Sequence, residues 1–136
     1  MARLALGAES LVAAAIAPDS SFGQIVLRCV RGEETLMVSR DVIEDARDTL
    51  NRATFRGPYL TLAEAHEWIV GIESIAVFLD EPPSGTGEEP RPRRLIDLVR
   101  GRVDCIITQD RSLLAQSTDE LPIMTPSDWL SRVGQR

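Results

Sequence analysis

Residues 103–114, Val-Asp-Cys-Ile-Ile-Thr-Gln-Asp-Arg-Ser-Leu-Leu, constrain the fold more than any other stretch of the chain. Cys105-Ile106-Ile107 is a short apolar run without alternation, the pattern of a strand buried on both faces in a parallel sheet. Thr108-Gln109-Asp110 then turns away, so that Asp110 falls just past the carboxyl end of a central strand. Open α/β sheets hold their ligand chemistry at that edge. Ser112 is placed to cap a short helix carrying Leu113 and Leu114.

The rest of the chain alternates in the same way. Leu4-Ala5-Leu6 reads as a first strand, followed by a helix with Leu11, Val12, Ala15 and Ile16 on one face. Pro18-Asp19-Ser20-Ser21 ends that helix and caps another, in which Phe22, Ile25, Val26, Cys29 and Val30 recur at helical spacing until Gly32 stops it. Thr35–Val38 is the second strand, and Ser39 caps a helix from Arg40 to about Asn51. Val42, Ile43, Ala46 and Leu50 face inward there, with Asp41, Glu44, Asp45 and Asp48 on an acidic side.

After a Gly57-Pro58-Tyr59 turn, Thr61 and Glu64 form a capping box for a helix whose buried stripe is Leu62, Ala65, Ile69 and Ile72. Residues 75–79 are the third strand. Residues 80–91 are irregular and rich in Pro, Gly and Glu, too long for a plain connection in a compact domain. Pro92 opens a helix bearing Leu95, Ile96 and Val99, which Gly101 ends. Residues 121–124 form a fifth strand, and Thr125-Pro126 starts a final helix with Trp129, Leu130 and Val133 inward and Gly134 after it. Helices between all strands imply right-handed crossovers and a three-layer α/β/α sandwich around a mostly parallel sheet of about five strands, one domain spanning 1–136.

Composition narrows the function. The 136 residues carry a net charge of -6, which argues against a generally basic nucleic-acid surface and leaves room for a local one. All fifteen basic residues are Arg, and Arg91, Arg93 and Arg94 make the one dense basic run. Arg suits phosphate better than Lys because its planar fork binds two oxygens at once. No stretch approaches the roughly 20 apolar residues of a membrane span, and the first residues lack a secretory pattern, so the chain reads as cytoplasmic. Cys29 and Cys105 sit in apolar contexts without Cys/His clustering and read as buried free thiols. His66, the only histidine, falls on the solvent side of a helix far from the acidic edge. Gly85-Thr86-Gly87 lies inside the irregular segment, without the strand before and helix after that a phosphate-binding loop requires.

The order of elements, together with three local features, resembles the PIN-domain family, in particular the small PIN proteins of toxin–antitoxin systems. The features are Val38-Ser39 before an acidic amphipathic helix, Asp104-Cys-Ile-Ile-Thr-Gln-Asp-Arg-Ser-Leu-Leu114, and the closing Ile123-Met-Thr-Pro-Ser-Asp-Trp-Leu130. The second is similar to a family signature of aspartate, apolar strand, threonine, any residue, aspartate and two leucines. The resemblance covers nearly the whole chain. It implies metal-dependent hydrolysis of RNA phosphodiesters, with carboxylates at the carboxyl edge holding Mg²⁺ or Mn²⁺ to activate water and stabilise the attacked phosphate. It also implies a homodimer and an antitoxin protein as partner.

Carried over acid by acid, the resemblance is incomplete. The family's first aspartate ends strand one in an Asp-Thr-Asn turn, and here the turn reads Gly7-Ala8-Glu9, with Glu9 two residues on. The second acid matches Asp45, with Glu44 as a competing assignment. At the third position the chain reads Arg91-Pro92-Arg93-Arg94, a reversal of charge, and the fourth acid is Asp110. The expected catalytic set is therefore Asp110, Asp45, Glu9 and Thr108, with Asp110 and Asp45 as metal ligands and Arg91, Arg93 and Arg94 against nucleic acid.

Two missing acids beside a gain of Arg weaken a Mg²⁺ site, because Mg²⁺ surrenders its waters only to carboxylates and phosphate. The expectation is a degenerate PIN domain with weakened or lost nuclease activity and no resident metal. The alternatives are an active Mg²⁺- or Mn²⁺-dependent ribonuclease toxin whose acids come from Glu9, Glu88, Glu89 or Asp97, a non-catalytic RNA-binding module, and a protein-interaction domain. Beside these stand the plain readings: Asp110 as a helix cap, Asp45 as a solvated helix acid, Glu9 as a first-turn residue favoured by the helix dipole, and Thr108 as a strand end.

Overall fold

The computed structural model describes residues 1–79 and 91–134, with residues 91–94 described by backbone alone. Five strands form one sheet in the order β3-β2-β1-β4-β5, every neighbouring pair parallel. They are β1 (Arg3–Leu6), β2 (Thr35–Val38), β3 (Val77–Phe78), β4 (Cys105–Ile107) and β5 (Ile123–Met124). The helices are α1 (Ala8–Ile16), α2 (Ser21–Val30), α3 (Arg40–Asn51), α4 (Ala53–Arg56), α5 (Leu62–Ile75), α6 (Arg91–Val99), α7 (Arg111–Leu114) and α8 (Pro126–Gly134), with a 3₁₀ turn over Gly57–Tyr59.

Alternate residues of β1, β2, β4 and β5 feed opposite cores. Leu4 and Leu6 of β1, with Leu36, Val38, Cys105 and Ile107, pack against α1, α2, α3, α5 and α8. Ala5, Met37, Ile106 and Ile123 pack against Ile96 and Val99 of α6 and Leu113 of α7. Helices on both faces are what strands with no polar side demand, and β4 is buried along its whole length. The absence of alternation at Cys105-Ile106-Ile107 thus reports a central position correctly. The sheet is wholly parallel, and its helical layers are unequal: five helices share one face, while α6 and α7 cover the other among the described residues.

Local chemistry sets the boundaries. Ser20 accepts from the Gly23 amide and Ser39 from the Val42 amide, so both helices begin where their caps stand. Thr61 and Glu64 complete the capping box at α5. Gly32 and Gly101 take positive φ just past α2 and α6, a conformation that admits glycine at no steric cost. Gly23 has a separate reason: a Cβ there would lie 2.1 Å from the Pro18 carbonyl oxygen, so only glycine permits the corner where α1 and α2 meet at 94°. No single helix among the described residues is long and apolar enough to cross a membrane.

Several expectations are corrected. The third strand is two residues rather than 75–79, because α5 continues through Ile75 and uses those backbone groups first. The fifth is Ile123–Met124 rather than 121–124, since the Leu121 amide donates to Thr118 Oγ1 in a turn. Gly134 belongs to the last turn of α8. Val30 and Leu62, both assigned to buried stripes, are exposed because each lies at a helix end beyond its packing partner. The short helix α7 is capped by Asp110, not Ser112, whose own amide and hydroxyl donate to the Asp110 carboxylate.

Candidate active site

The strand order places β1 at the centre, and the chain leaves it in two directions. It moves from β1 through β2 to β3, then crosses back to β4 on the other side of β1. The carboxyl ends of β1 and β4 therefore flank the point where the winding reverses, the place where a parallel sheet opens a crevice. Leu6 pairs with Ile107, so the next residues, Gly7 and Thr108, stand side by side there. Ala5 pairs with Met37 and Ile107 with Met124, which puts Ser39 on one flank and Thr125 on the other.

Four helices begin along this row. Ser39 caps α3, Asp110 caps α7, and Thr125 Oγ1 accepts from the Asp128 amide at the start of α8. Gly7 precedes α1 without a side-chain cap. Helix starts present unpaired amides and a partial positive charge, so the edge as a whole favours anionic groups.

Asp110 is fully exposed, and its Oδ1 accepts from the Ser112 amide at 2.9 Å, the Ser112 hydroxyl at 2.7 Å and the Leu113 amide at 3.4 Å. The Ser112 side-chain and backbone bonds, then the Leu113 amide, hold its carboxyl below the usual carboxylate range. Thr108 is buried and its Oγ1 accepts from the Asp110 amide at 3.0 Å, which fixes the turn that carries Asp110. Threonine thus has a positioning task here whatever else it does.

The other expected residues are spread along the same edge. Glu9 is exposed in the first turn of α1, two residues past Gly7. Asp45 is exposed on α3, six residues past its Ser39 cap, which is about 9 Å along the helix axis. Glu44, the competing assignment, pairs with Arg47. Asp97 stands near the end of α6, which feeds β4 at the opposite, amino edge of the sheet, away from Asp110. The Arg91, Arg93 and Arg94 side chains, Glu88, Glu89 and the irregular segment to residue 90 lie outside the described residues.

Among the described residues the donor set does not converge on a site for Mg²⁺ or Mn²⁺. Among the described residues no three His, Cys, Asp or Glu side chains gather closely enough to hold a metal ion. One Asp110 oxygen is already used by the α7 cap, and the neighbouring strand end offers Gly7, which has no donor. The gap at Gly7 is not imposed by the backbone. Its φ of −86° and ψ of 174° suit any residue, and a Cβ built there meets nothing within 4 Å.

Sequence reading missed two groups. Ser10 is buried in the first turn of α1, beside Leu11 on the inward stripe. Its signal was a hydroxyl at an apolar position of an amphipathic pattern. Glu34 is buried at the other end of the sheet, where its Oε2 accepts from the Ala2 amide at 2.7 Å and its Oε1 pairs with Arg28 at 3.3 Å. Nothing local marks an acid before a strand as buried. The two thiols, Cys29 and Cys105, are buried and free, and burial pushes both up to about 12, so neither supplies a nucleophile near neutral pH.

Compared with family models, curated proteins and solved structures, the chain finds no match in any of the three. Fold and site define a parallel α/β protein with its candidate site at the carboxyl edge of β1 and β4.

Proposed function

We propose that this chain is a PIN-like domain, related to the metal-dependent ribonuclease toxins, whose nuclease activity is weakened or lost. The observation that carries the reading is the Leu6–Ile107 pairing of β1 with β4, which sets Gly7 beside Thr108 two residues before Asp110. The threonine and the acid of the resemblance stand at the switch point of the sheet, and the neighbouring strand end, where the first acid is expected, presents glycine. A hydrolase of this class needs several carboxylates converging on one or two ions, because Mg²⁺ is held by oxygen ligands in near-octahedral geometry. Asp110 engaged in a cap and Asp45 on α3 are too few for that.

Phosphate affinity without chemistry follows from the same edge. Helix starts at α1, α3, α7 and α8 favour a phosphate oxygen, and RNA is the ligand class that the resemblance brings, with an antitoxin protein as the other partner. Binding of this kind weakens steeply with salt and ignores chelators.

The test is cleavage of a labelled single-stranded RNA with Mn²⁺, set against EDTA and against Asp110→Asn. The expected result is cleavage at or barely above the buffer level in every lane. Strong metal-dependent cleavage that disappears in Asp110→Asn would overturn the reading in favour of an active ribonuclease with relocated acids. A tight stoichiometric Mn²⁺ site in a calorimetric titration would do the same.

A further inference from the structure

We propose that the carboxyl edge binds a phosphomonoester in a notch at Gly7, gripped without a metal ion by Ser10, Ser39, Thr108 and the first amides of α1. The proposal rests on the reading that this edge has lost its metal chemistry, and it names the anion that the edge takes instead. Gly7 makes the notch. It stands between Ser39 and Thr108 in the row of strand ends, about 4.8 Å from each, and a Cβ built on it meets nothing within 4 Å. The helix α1 starts directly after it, runs nine residues and has no side-chain cap, so its first-turn amides keep their protons unspent.

A helix start is a general feature, and the side chains around this one are particular. Ser10 is 5% exposed and forms no hydrogen bond with any described residue, yet its Oγ is not among the sealed polar atoms that lack a partner, so it still touches solvent. As the third residue of α1 it leans back toward the start of the helix, because every Cα–Cβ bond of a helix tilts that way. A glutamate at this position would reach back and close a capping box, whereas serine leaves a donor facing the notch. A buried hydroxyl without a partner costs stability, and an oxyanion seated at Gly7 satisfies it. Ser39 and Thr108 complete the set. Both are buried, and each accepts one amide, from Val42 and from Asp110, which leaves its hydroxyl proton to donate.

Two properties select a monoester over an internal phosphodiester. Donors reach the notch from α1 and from the strand ends on both sides, an arrangement that serves three unesterified oxygens better than the two of a diester. Charge points the same way. Glu9, Asp45 and Asp110 are exposed along this edge of a chain of net charge -6, so an extended polyanion is repelled along its length, while a single phosphate entering the notch meets donors. Asp110 is the nearest of these acids by sequence, and it stands in solvent with Ser112 and Leu113 donating to it, which screens its charge from the notch.

The measurement is a phosphorus NMR titration of the full chain with methyl phosphate and with dimethyl phosphate, in EDTA, for wild type, Ser10→Ala and Gly7→Asp. Wild type is expected to bind methyl phosphate at least about tenfold more tightly than dimethyl phosphate, and Ser10→Ala to lose about tenfold with one hydrogen bond to a charged group. Gly7→Asp fills the notch with a carboxylate and should abolish binding. Alanine suits a helix and the Gly7 backbone angles suit any residue, so both variants stay folded, which circular dichroism checks. A short RNA ending in phosphate that binds more tightly than methyl phosphate makes a nucleic-acid end the source of the group, and equal affinity makes the ligand a free phosphomonoester. A wild type that binds neither ester overturns the proposal. So does binding that is equal for the two esters or indifferent to both substitutions, and these failures leave the expected lack of RNA cleavage standing. Binding that appears only when Mn²⁺ replaces EDTA overturns the proposal and the reading beneath it together.

Discussion

At the amino edge of the sheet Glu34 and Asp104 accept the amides of Ala2 and Arg3, while at the carboxyl edge Asp110 accepts the amides of the helix it begins. The first pair reaches across 32 and 101 residues of sequence and ties β1 to its two neighbours. The second closes a turn of three residues. Glu34 is also shut away from water, with its side chain 2% exposed and Arg28 against it, whereas Asp110 stands in solvent. Acids at one end are therefore fastenings of the fold, and acids at the other remain open to a ligand. Reach along the sequence separates the two pairs, and burial sets Glu34, though not the half-exposed Asp104, apart from Asp110.

The largest test of that contrast is Glu34→Ala. Removing the buried acid leaves the Ala2 amide without its acceptor and Arg28 with the exposed Glu33 alone, and the sealed Arg28 Nε already has no partner among the described residues, so the loss should be about 3 kcal/mol. Urea unfolding measures it. Part of the guanidinium is held elsewhere, against Glu33 and over the Trp129 ring at 5.6 Å. A loss below about 1 kcal/mol would make Glu34 an ordinary surface pair and erase the distinction between the edges.

Gly7→Asp sharpens the other side. If one missing acid limits metal affinity, the substitution places a carboxylate beside Asp110 in open space, and Mn²⁺ should bind at least about tenfold tighter, or 1.4 kcal/mol. Calorimetry of wild type against variant gives the answer. Equal heats would show that the geometry of Asp110, and not the count of acids, disables the edge.

Acid titration gives a smaller signal. The Arg3 backbone amide, foremost, and its guanidinium lower the Asp104 carboxyl below its ordinary value. A depressed folded value adds stability above the unfolded pKa, near pH 4, and loses it as the pH falls through the folded value. Asp104 is largely exposed, so solvent screens most of this. Comparing Asp104→Asn with wild type by urea unfolding from pH 5 to pH 2, the two curves should converge toward the acid end. Curves parallel throughout would remove Asp104 from the fastening.

What the sequence made legible follows the same division. Strands and helices could be read because their signals are local: β-branched runs, caps and glycine stops lie within a few residues of what they determine. Strand ends at β3 and β5 were misjudged because a competing helix, α5, decides the first and a competing turn the second. Asp110 could be placed from the strand before it, yet the cap of the short helix was read both as Ser112 and, in the plain reading, as Asp110, and only the structure decides for Asp110. Glu34 was invisible because Ala2 meets it only through the β1–β2 register, and Arg28 only where the chain turns back from α2 toward β2. The exposed Leu62 was misread for a similar reason: helical spacing gives a face, and only the neighbouring helices show whether it is covered.

The smallest expected effect concerns Asp45, where a solvated helix acid and a metal ligand look alike. As an exposed residue on α3 it should tolerate Asp45→Asn within about 0.5 kcal/mol of stability, measured in urea. Stability alone leaves both roles open, so the substitution belongs in the Gly7→Asp background as well. There the regained Mn²⁺ affinity should vanish with Asp45→Asn, because two carboxylates from β1 and β4 still need a third from α3 to displace enough water from the ion. Affinity that persists would assign Asp45 to the acidic outer side of α3 with Glu44 and Asp48, and would leave Asp110 as the one acid of the carboxyl edge with a part in binding.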